Sequence, residues 1–340
     1  MNRKSRILVT GANSHLGFNL VKLLVEQGYV VHASVRDHTD RFKTSALKNI
    51  GVDDIVSLDI RDHNSFVEAC RGIDFLFHVA ATYKYVLDGK DAEQELLSDS
   101  LEGVRSAMVA AHENDVTKVI LTSSIVTLPS VEAGTKPPDE SQWRTDLRVP
   151  YMRAKTEGEQ LAWKLAGEFG LNLVTVLPGA IIGPNFGRGT PSTDVIQAMM
   201  MGSMRMGTVD SIFPALDVRD VADAHILAAQ NDADGRFIVG ADTEPTFHEL
   251  LKIMNRIDQS VPLPMMTVPR FAYSALPFFD WLSHKTMKTP RTMTKKLLDS
   301  IGTSKMVADN QRAKSVLGWR PNISLEQSLR DTMNELKQQR

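Results

Sequence analysis

The stretch that most constrains this chain is Arg6-Ile-Leu-Val-Thr-Gly-Ala-Asn-Ser-His-Leu-Gly17. A short apolar run over residues 7–9 meets a turn at Gly11. Beyond it Leu16, Leu20, Leu23 and Leu24 recur on one helical face. Strand, glycine turn and helix in that order form the entry unit of a dinucleotide-binding fold. Gly11 permits the tight turn, Gly17 lets the helix pack closely on the strand, and N–H groups at the helix start turn toward a pyrophosphate. The candidate contacts are therefore Gly11, Asn13, Ser14, His15, Leu16 and Gly17. Ser14 stands where a middle glycine is usual, and its hydroxyl is expected to donate to the phosphate. Similar turns also join strands to helices in proteins that bind nothing, so the rest of the chain must decide.

Downstream, strand and helix alternate. Apolar runs at 29–35, 55–58, 75–79, 118–122 and 173–177 read as strands, and about 64–71, 92–113 and 151–169 as helices. That alternation predicts an α/β fold with a doubly wound parallel sheet of the Rossmann type. Residues 129–150, with Pro137, Pro138 and Pro150, read as a loop over the sheet. Beyond about 184 the alternation weakens: 192–206 reads as a methionine-rich helix, 212–215 as extended, 220–230 as a helix and 236–239 as a strand. The expected division is a dinucleotide-binding domain over 1–184, to which 216–240 return. A smaller, mostly helical substrate lobe, 185–215 and 241–340, closes over the carboxyl ends of the strands.

Composition excludes several classes. With Lys+Arg 39 against Asp+Glu 41, the net charge of -2 gives no footprint for nucleic acid or an anionic membrane. The local exception, His284, Lys285, Lys288, Arg291, Lys295 and Lys296, reads as a solvated helix face. Cys70 stands alone, which excludes intramolecular disulfides and cysteine-cluster metal sites and suits a reducing compartment. The nine histidines show no metal-ligand spacing. The apolar segment 271–282 is broken by Pro277 and Asp280 and falls short of the roughly 20 residues a spanning helix needs. The expectation is a soluble cytoplasmic protein with a small-molecule substrate and no nucleic-acid or membrane partner.

Tyr151 and Lys155, four apart on a predicted helix, project from one face. A phenol of pKa about 10 is a poor acid or base near neutrality, and a neighbouring ammonium brings it into range. Ser124, ending the fifth strand, can hydrogen-bond a carbonyl oxygen in the same site. Together these three can protonate and polarise a carbonyl while a nicotinamide delivers hydride to its carbon.

These pieces occur with Val35-Arg-Asp37, His78-Val-Ala-Ala81, Thr122-Ser-Ser124, Asp139-Glu-Ser-Gln-Trp143, Tyr151-Met-Arg-Ala-Lys155, Gly183-Pro184, Asp217-Val-Arg-Asp-Val-Ala-Asp-Ala-His225 and Leu317-Gly-Trp-Arg-Pro321. In that order they resemble the extended short-chain dehydrogenase/reductases, and among them the dihydroflavonol-reductase-like aldehyde and ketone reductases. The resemblance implies Ser124, Tyr151 and Lys155 as the catalytic set, with Lys155 also holding the nicotinamide ribose. An NAD enzyme of this fold places an acid at the end of the second strand; here Val35 stands there and Arg36 follows, a guanidinium suited to the 2′-phosphate of NADP(H). Arg41 or Lys43 can add a second positive charge. The resemblance further gives Asp59 an adenine amino group to accept from, although capping the next turn is an equal role for it. It sets Ile60, Val79, Ala80 and Ala81 beside the cofactor, and Pro178, Ala180 and Ile181 near the nicotinamide. Ser100 occupies the position where many members carry asparagine. Tyr83, Tyr85, Ser124 and Met200 are the candidate substrate contacts, with core packing the competing role for the methionines. The implied protein is an NADPH-dependent carbonyl reductase, monomeric or homodimeric. The alternatives are an NAD-dependent nucleotide-sugar epimerase or dehydratase and a catalytically silent cofactor sensor. Ser124-Ile-Val126, where dehydratases carry Asp-Glu, speaks against the dehydratase, and retention of Tyr151 and Lys155 against the silent sensor.

Overall fold

A computed structural model of the chain describes residues 1–339 except 83–86, 88, 133, 292, 294 and 302–304, with 299–301 described by backbone alone. Seven strands, β1 (Arg6–Thr10), β2 (Val30–Val35), β3 (Asp54–Ser57), β4 (Phe75–His78), β5 (Lys118–Thr122), β6 (Leu173–Pro178) and, after two short strands, β9 (Gly235–Val239), form one sheet in the order β3-β2-β1-β4-β5-β6-β9. Every pairing is parallel. Every residue of β4 and β6 is buried, as strands covered on both faces must be.

Alternation along β1 divides the core. Ile7 and Val9 pack with helix α1 (His15–Glu26) and with α7 (Val218–Gln230) on one face. Leu8 packs on the other with α3 (His63–Ala69), α4 (Lys90–Glu113) and α5 (Pro150–Phe169). Strand order reverses between β1 and β4, so a crevice opens at their carboxyl ends, where open α/β sheets hold ligands.

The structure adds elements the sequence pattern did not reveal. Helix α2 (Arg41–Asn49) buries only Thr44 and Leu47, too little for a periodic signal. Strands β7 (Ala180–Ile182) and β8 (Ala215–Asp217) pair as a separate parallel ribbon, each too short to alternate legibly. The methionine-rich helix is α6 (Pro191–Met200), shorter than the expected 192–206, because Gly202 at φ +80° turns the chain out of helical geometry. With α8 (Phe247–Ile257) and α10 (Leu325–Gln338), α6 builds a separate core around Ile196, Met199, Leu250, Met254 and Met333. Arg219 on α7 ties this core to the end of β8 by pairing with both Asp217 (2.8 Å) and Asp331 (2.7 Å). Asp220 accepts the N–H groups of Asn322 and Ile323, each at 3.0 Å. Among the described residues no helix is long and apolar enough to cross a membrane, and no acidic, histidine or cysteine cluster could hold a metal.

Candidate active site

The glycine turn is locked by Thr10, the last residue of β1. Its Oγ1 accepts the N–H groups of Val79 and Ala80, both at 3.1 Å, so its own proton goes to His78 Nδ1 at 3.0 Å. Burial pushes the His78 imidazole down to about 3, which keeps it neutral and able to accept. The loop after β4 is thereby clamped onto β1, with Ala80 against Gly11. A Cβ at Gly11 would lie 3.0 Å from the Ala80 Cα, and the φ of +65° there itself favours glycine. At Gly17 a Cβ would lie 2.2 Å from the Gly11 carbonyl oxygen. Gly17→Ala is therefore expected to destabilise the protein by about 1–3 kcal/mol through overpacking and to weaken cofactor binding. Urea unfolding and a cofactor titration would check this, and an unchanged midpoint with unchanged affinity would mean that the turn relaxes freely.

Ser14 is the N-cap of α1, and its Oγ accepts from Gly17 N at 3.1 Å. That N–H is therefore committed within the turn, while the serine proton remains to donate outward. His15 turns its Nε2 to the Pro184 carbonyl (3.1 Å) and its ring edge to Phe186, and burial lowers it to about 4. Leu16 is buried in the core, which leaves only its backbone for a ligand.

A cavity of about 980 Å³ runs from Asn13, Ser14 and Arg36 past Ala81 and Ser124 to Phe213, Phe247 and Tyr273. It lies near the upper end of the range for small-molecule sites, about 300–1,000 Å³. The Arg36 side chain is exposed and makes no hydrogen bond or ion pair with the described residues. Lys43 is paired with Asp40 at 3.0 Å, the N-cap of α2, and does not line the cavity. Asp59 accepts a fork from the Arg61 guanidinium (3.2 and 3.1 Å), which holds its carboxyl below the usual range. Asp59 also caps the turn that follows β3, accepting the Arg61 backbone N–H at 3.1 Å, while the cap of helix α3 is Asp62. Arg61 itself lines the cavity and pairs with Asp99 at 3.5 Å, and neither residue stood out in the sequence. Ile60 packs under α4, where a Cβ at Gly103 would lie 3.1 Å from its Cδ1.

Ser124 follows β5 in extended backbone; its Oγ accepts from Val126 N at 3.3 Å and it faces the cavity. Helix α5 begins at Pro150, whose fixed φ suits a first helical position, and so sets Tyr151 in the first turn. The Tyr151 ring is buried among Leu96, Val126, Met152 and Leu297. One turn on, Lys155 donates to the Thr122 carbonyl at 3.0 Å, which anchors α5 to β5 two residues before Ser124. Burial lowers the Lys155 ammonium to about 8, against the opposing charge of Glu159. Pro178 ends β6. Gly179 packs so tightly on Pro214 that a Cβ would lie 2.4 Å from its carbonyl oxygen, and this holds Ala180 at the cavity wall while Ile181 packs into the core.

Behind Lys155 lies a buried polar network that the sequence reading missed. Glu159 pairs with Arg236 at 2.9 Å and accepts from Ser123 (2.7 Å) and Thr175 (2.6 Å). Arg236 in turn donates to Thr127 and to the Glu140 and Gln142 carbonyls, each at 2.8 Å, and stacks over Trp143. The loop around Asp139-Glu-Ser-Gln-Trp143 is thus pinned against the turn that carries Ser124. A charged residue inside the apolar strand 235–239 was the available signal. Ser100 donates to the Ala154 carbonyl at 3.1 Å and shares a cavity of about 30 Å³ with Lys155, Thr122 and Glu159. Met200 packs against the lobe core, while Met204 lines the main cavity. Tyr83 and Tyr85 lie outside the described residues.

The chain matches the family model of NAD dependent epimerases and dehydratases over residues 7–240. It is 31% identical to dihydroflavonol 4-reductase of Zea mays over 268 residues, 74% of each chain. It is 30% identical to a (2S)-flavan-3-ol-forming anthocyanidin reductase of Vitis vinifera over 276 residues, 74% of this chain and 81% of the other. Among solved structures, gox2253 superposes with a TM-score of 0.82 at 25% identity, covering 99% of both chains. The parallel Rossmann sheet, the glycine turn and these matches together show that the chain belongs to the NAD-dependent epimerase/dehydratase family, in the dihydroflavonol-reductase-like group of extended short-chain dehydrogenase/reductases.

Proposed function

We propose that the protein is an NADPH-dependent reductase of a small or medium, apolar ketone or aldehyde. The observation that carries this reading is one cavity with an unpaired guanidinium, Arg36, at one end and Ser124 within it, two residues after the Thr122 carbonyl to which Lys155 of α5 is anchored. The cradle suits a dinucleotide: Gly11 and Gly17 leave backbone exposed where any Cβ would collide. Arg36 would take the 2′-phosphate, Ser14 and the start of α1 the pyrophosphate, and Lys155 the nicotinamide ribose. When bound, the reduced nicotinamide supplies hydride to the carbonyl carbon. Ser124 donates a hydrogen bond to the carbonyl oxygen, and Tyr151 gives that oxygen its proton. Lys155, kept cationic, favours the phenolate left on Tyr151. Phe213, Phe247 and Met204 supply the apolar wall that suits an apolar substrate.

This reading sets a pH limit. Below about 8 the Lys155 amine is protonated, and above it the cation is lost, so kcat/KM for reduction should be level at lower pH and fall roughly tenfold per unit above about 8. A profile that stays flat into the range where a free lysine titrates, about 10.4, would contradict the role given to Lys155. The reading itself is tested by NADPH oxidation across a panel of aldehydes and ketones. No carbonyl-dependent turnover across the panel would overturn it. A nucleotide-sugar epimerase shares the family description, and the absence of an acid at Val35-Arg36 argues against its NAD.

A further inference from the structure

A cluster of exposed apolar side chains lies on the far part of the chain, beside the mouth of the cavity described above. A 3-10 turn, Arg270–Ala275, runs into helix α9 (Leu276–Met287), and neither element buries a single residue. Phe271 is 88% exposed, Phe278 57%, Phe279 58% and Trp281 42%, with Leu282 and Met287 beside them. A soluble face does not ordinarily leave several aromatic side chains in water together. Charge on this stretch is equally uneven. Between residues 259 and 298 there are six Lys or Arg and one acid, Asp280, in a chain whose total is -2. Asp280 is engaged by Arg291 at 3.2 Å, whereas Arg270, Lys285, Lys288 and Lys295 make no ion pair with any described residue.

We propose that this face docks on the surface of an anionic lipid bilayer, with the aromatic side chains entering the headgroup region and the surrounding cations meeting lipid phosphates. Exposed aromatic side chains beside an excess of Lys and Arg, over too short a length to span, suit contact with an anionic lipid interface. A second copy of the chain suits the surface less well, because two-fold pairing would set its cations against each other. Tyr273, Arg291, Met293 and Leu297 of the same stretch line the large cavity, so docking would turn the cavity mouth toward the membrane. The inference does not depend on which reaction the site performs.

The test is flotation of the purified full-length protein with vesicles of phosphatidylcholine alone and with about one third phosphatidylglycerol. Binding to the anionic vesicles only, weakened by salt, is the expected result. The partition coefficient should fall at least about tenfold in Lys285→Glu/Lys288→Glu and in Phe278→Ser/Trp281→Ser. These side chains are exposed, so unchanged circular dichroism and unfolding midpoints would show that both variants fold. Three results would overturn the proposal. They are protein left unbound at low salt, binding indifferent to the charge reversal, or a lipid-free dimer that Phe278→Ser/Trp281→Ser dissociates.

Discussion

Tyr151→Phe is expected to lower kcat for carbonyl reduction by about 10²–10⁴-fold, the usual contribution of a positioned general acid, and to leave NADPH affinity nearly unchanged. The substitution removes only the hydroxyl. The ring stays packed among Leu96, Val126, Met152 and Leu297, so α5 should keep its place. Lys155→Met is the informative companion. Lys155 anchors α5 to the Thr122 carbonyl and is assigned both the tyrosine and the ribose, so this change should lower kcat and cofactor affinity together. Stopped-flow reduction with a separate cofactor titration distinguishes the two patterns. A Tyr151→Phe protein with wild-type kcat would remove the phenol from the chemistry altogether.

The second large effect is expected at Arg36. Arg36→Ala should lower kcat/KM with NADPH by roughly 10–100-fold, the loss of a charge-assisted bond to phosphate, while kcat/KM with NADH changes little. Arg36 lines the cavity and makes no ion pair with the described residues, so its removal leaves no buried partner stranded. Lys43 offers little replacement, being held by Asp40 at 3.0 Å. Arg61 is the competing cation on the cavity wall, and its bonds to Asp59 and Asp99 offset much of its charge. Equal losses with both cofactors would place Arg36 on a part that NADPH and NADH share.

The parallel sheet was legible in the sequence because its strands are continuous apolar runs separated by helical periods, a pattern that needs no tertiary information. The glycine turn was legible as well, since Gly11 and Gly17 answer to steric demands that only glycine meets. What stayed hidden was cooperative. Thr10, Glu159 and Arg236 matter through partners 69, 77 and 109 positions away, and no local period brings them together. Ser14 looked like a substitute for a glycine, whereas folded it is the cap of α1, a role set by the geometry of the turn. The basic run at 284–296 reads as a solvated face, and Lys285, Lys288, Lys295 and Lys296 are indeed exposed; that the aromatic side chains of Phe278, Phe279 and Trp281 stay in water beside them had no signal in the sequence.

Whether this protein reduces carbonyls with exchangeable NADPH is decided by the nucleotide it retains and the cofactor it consumes. Protein purified without added cofactor is analysed for bound nucleotide and then given NADPH with a carbonyl panel. A carbonyl reductase should retain no NAD tightly and should oxidise NADPH only with a carbonyl present, an activity that Tyr151→Phe abolishes. Tightly held NAD that survives purification, with interconversion of nucleotide sugars and no net oxidation, would contradict it.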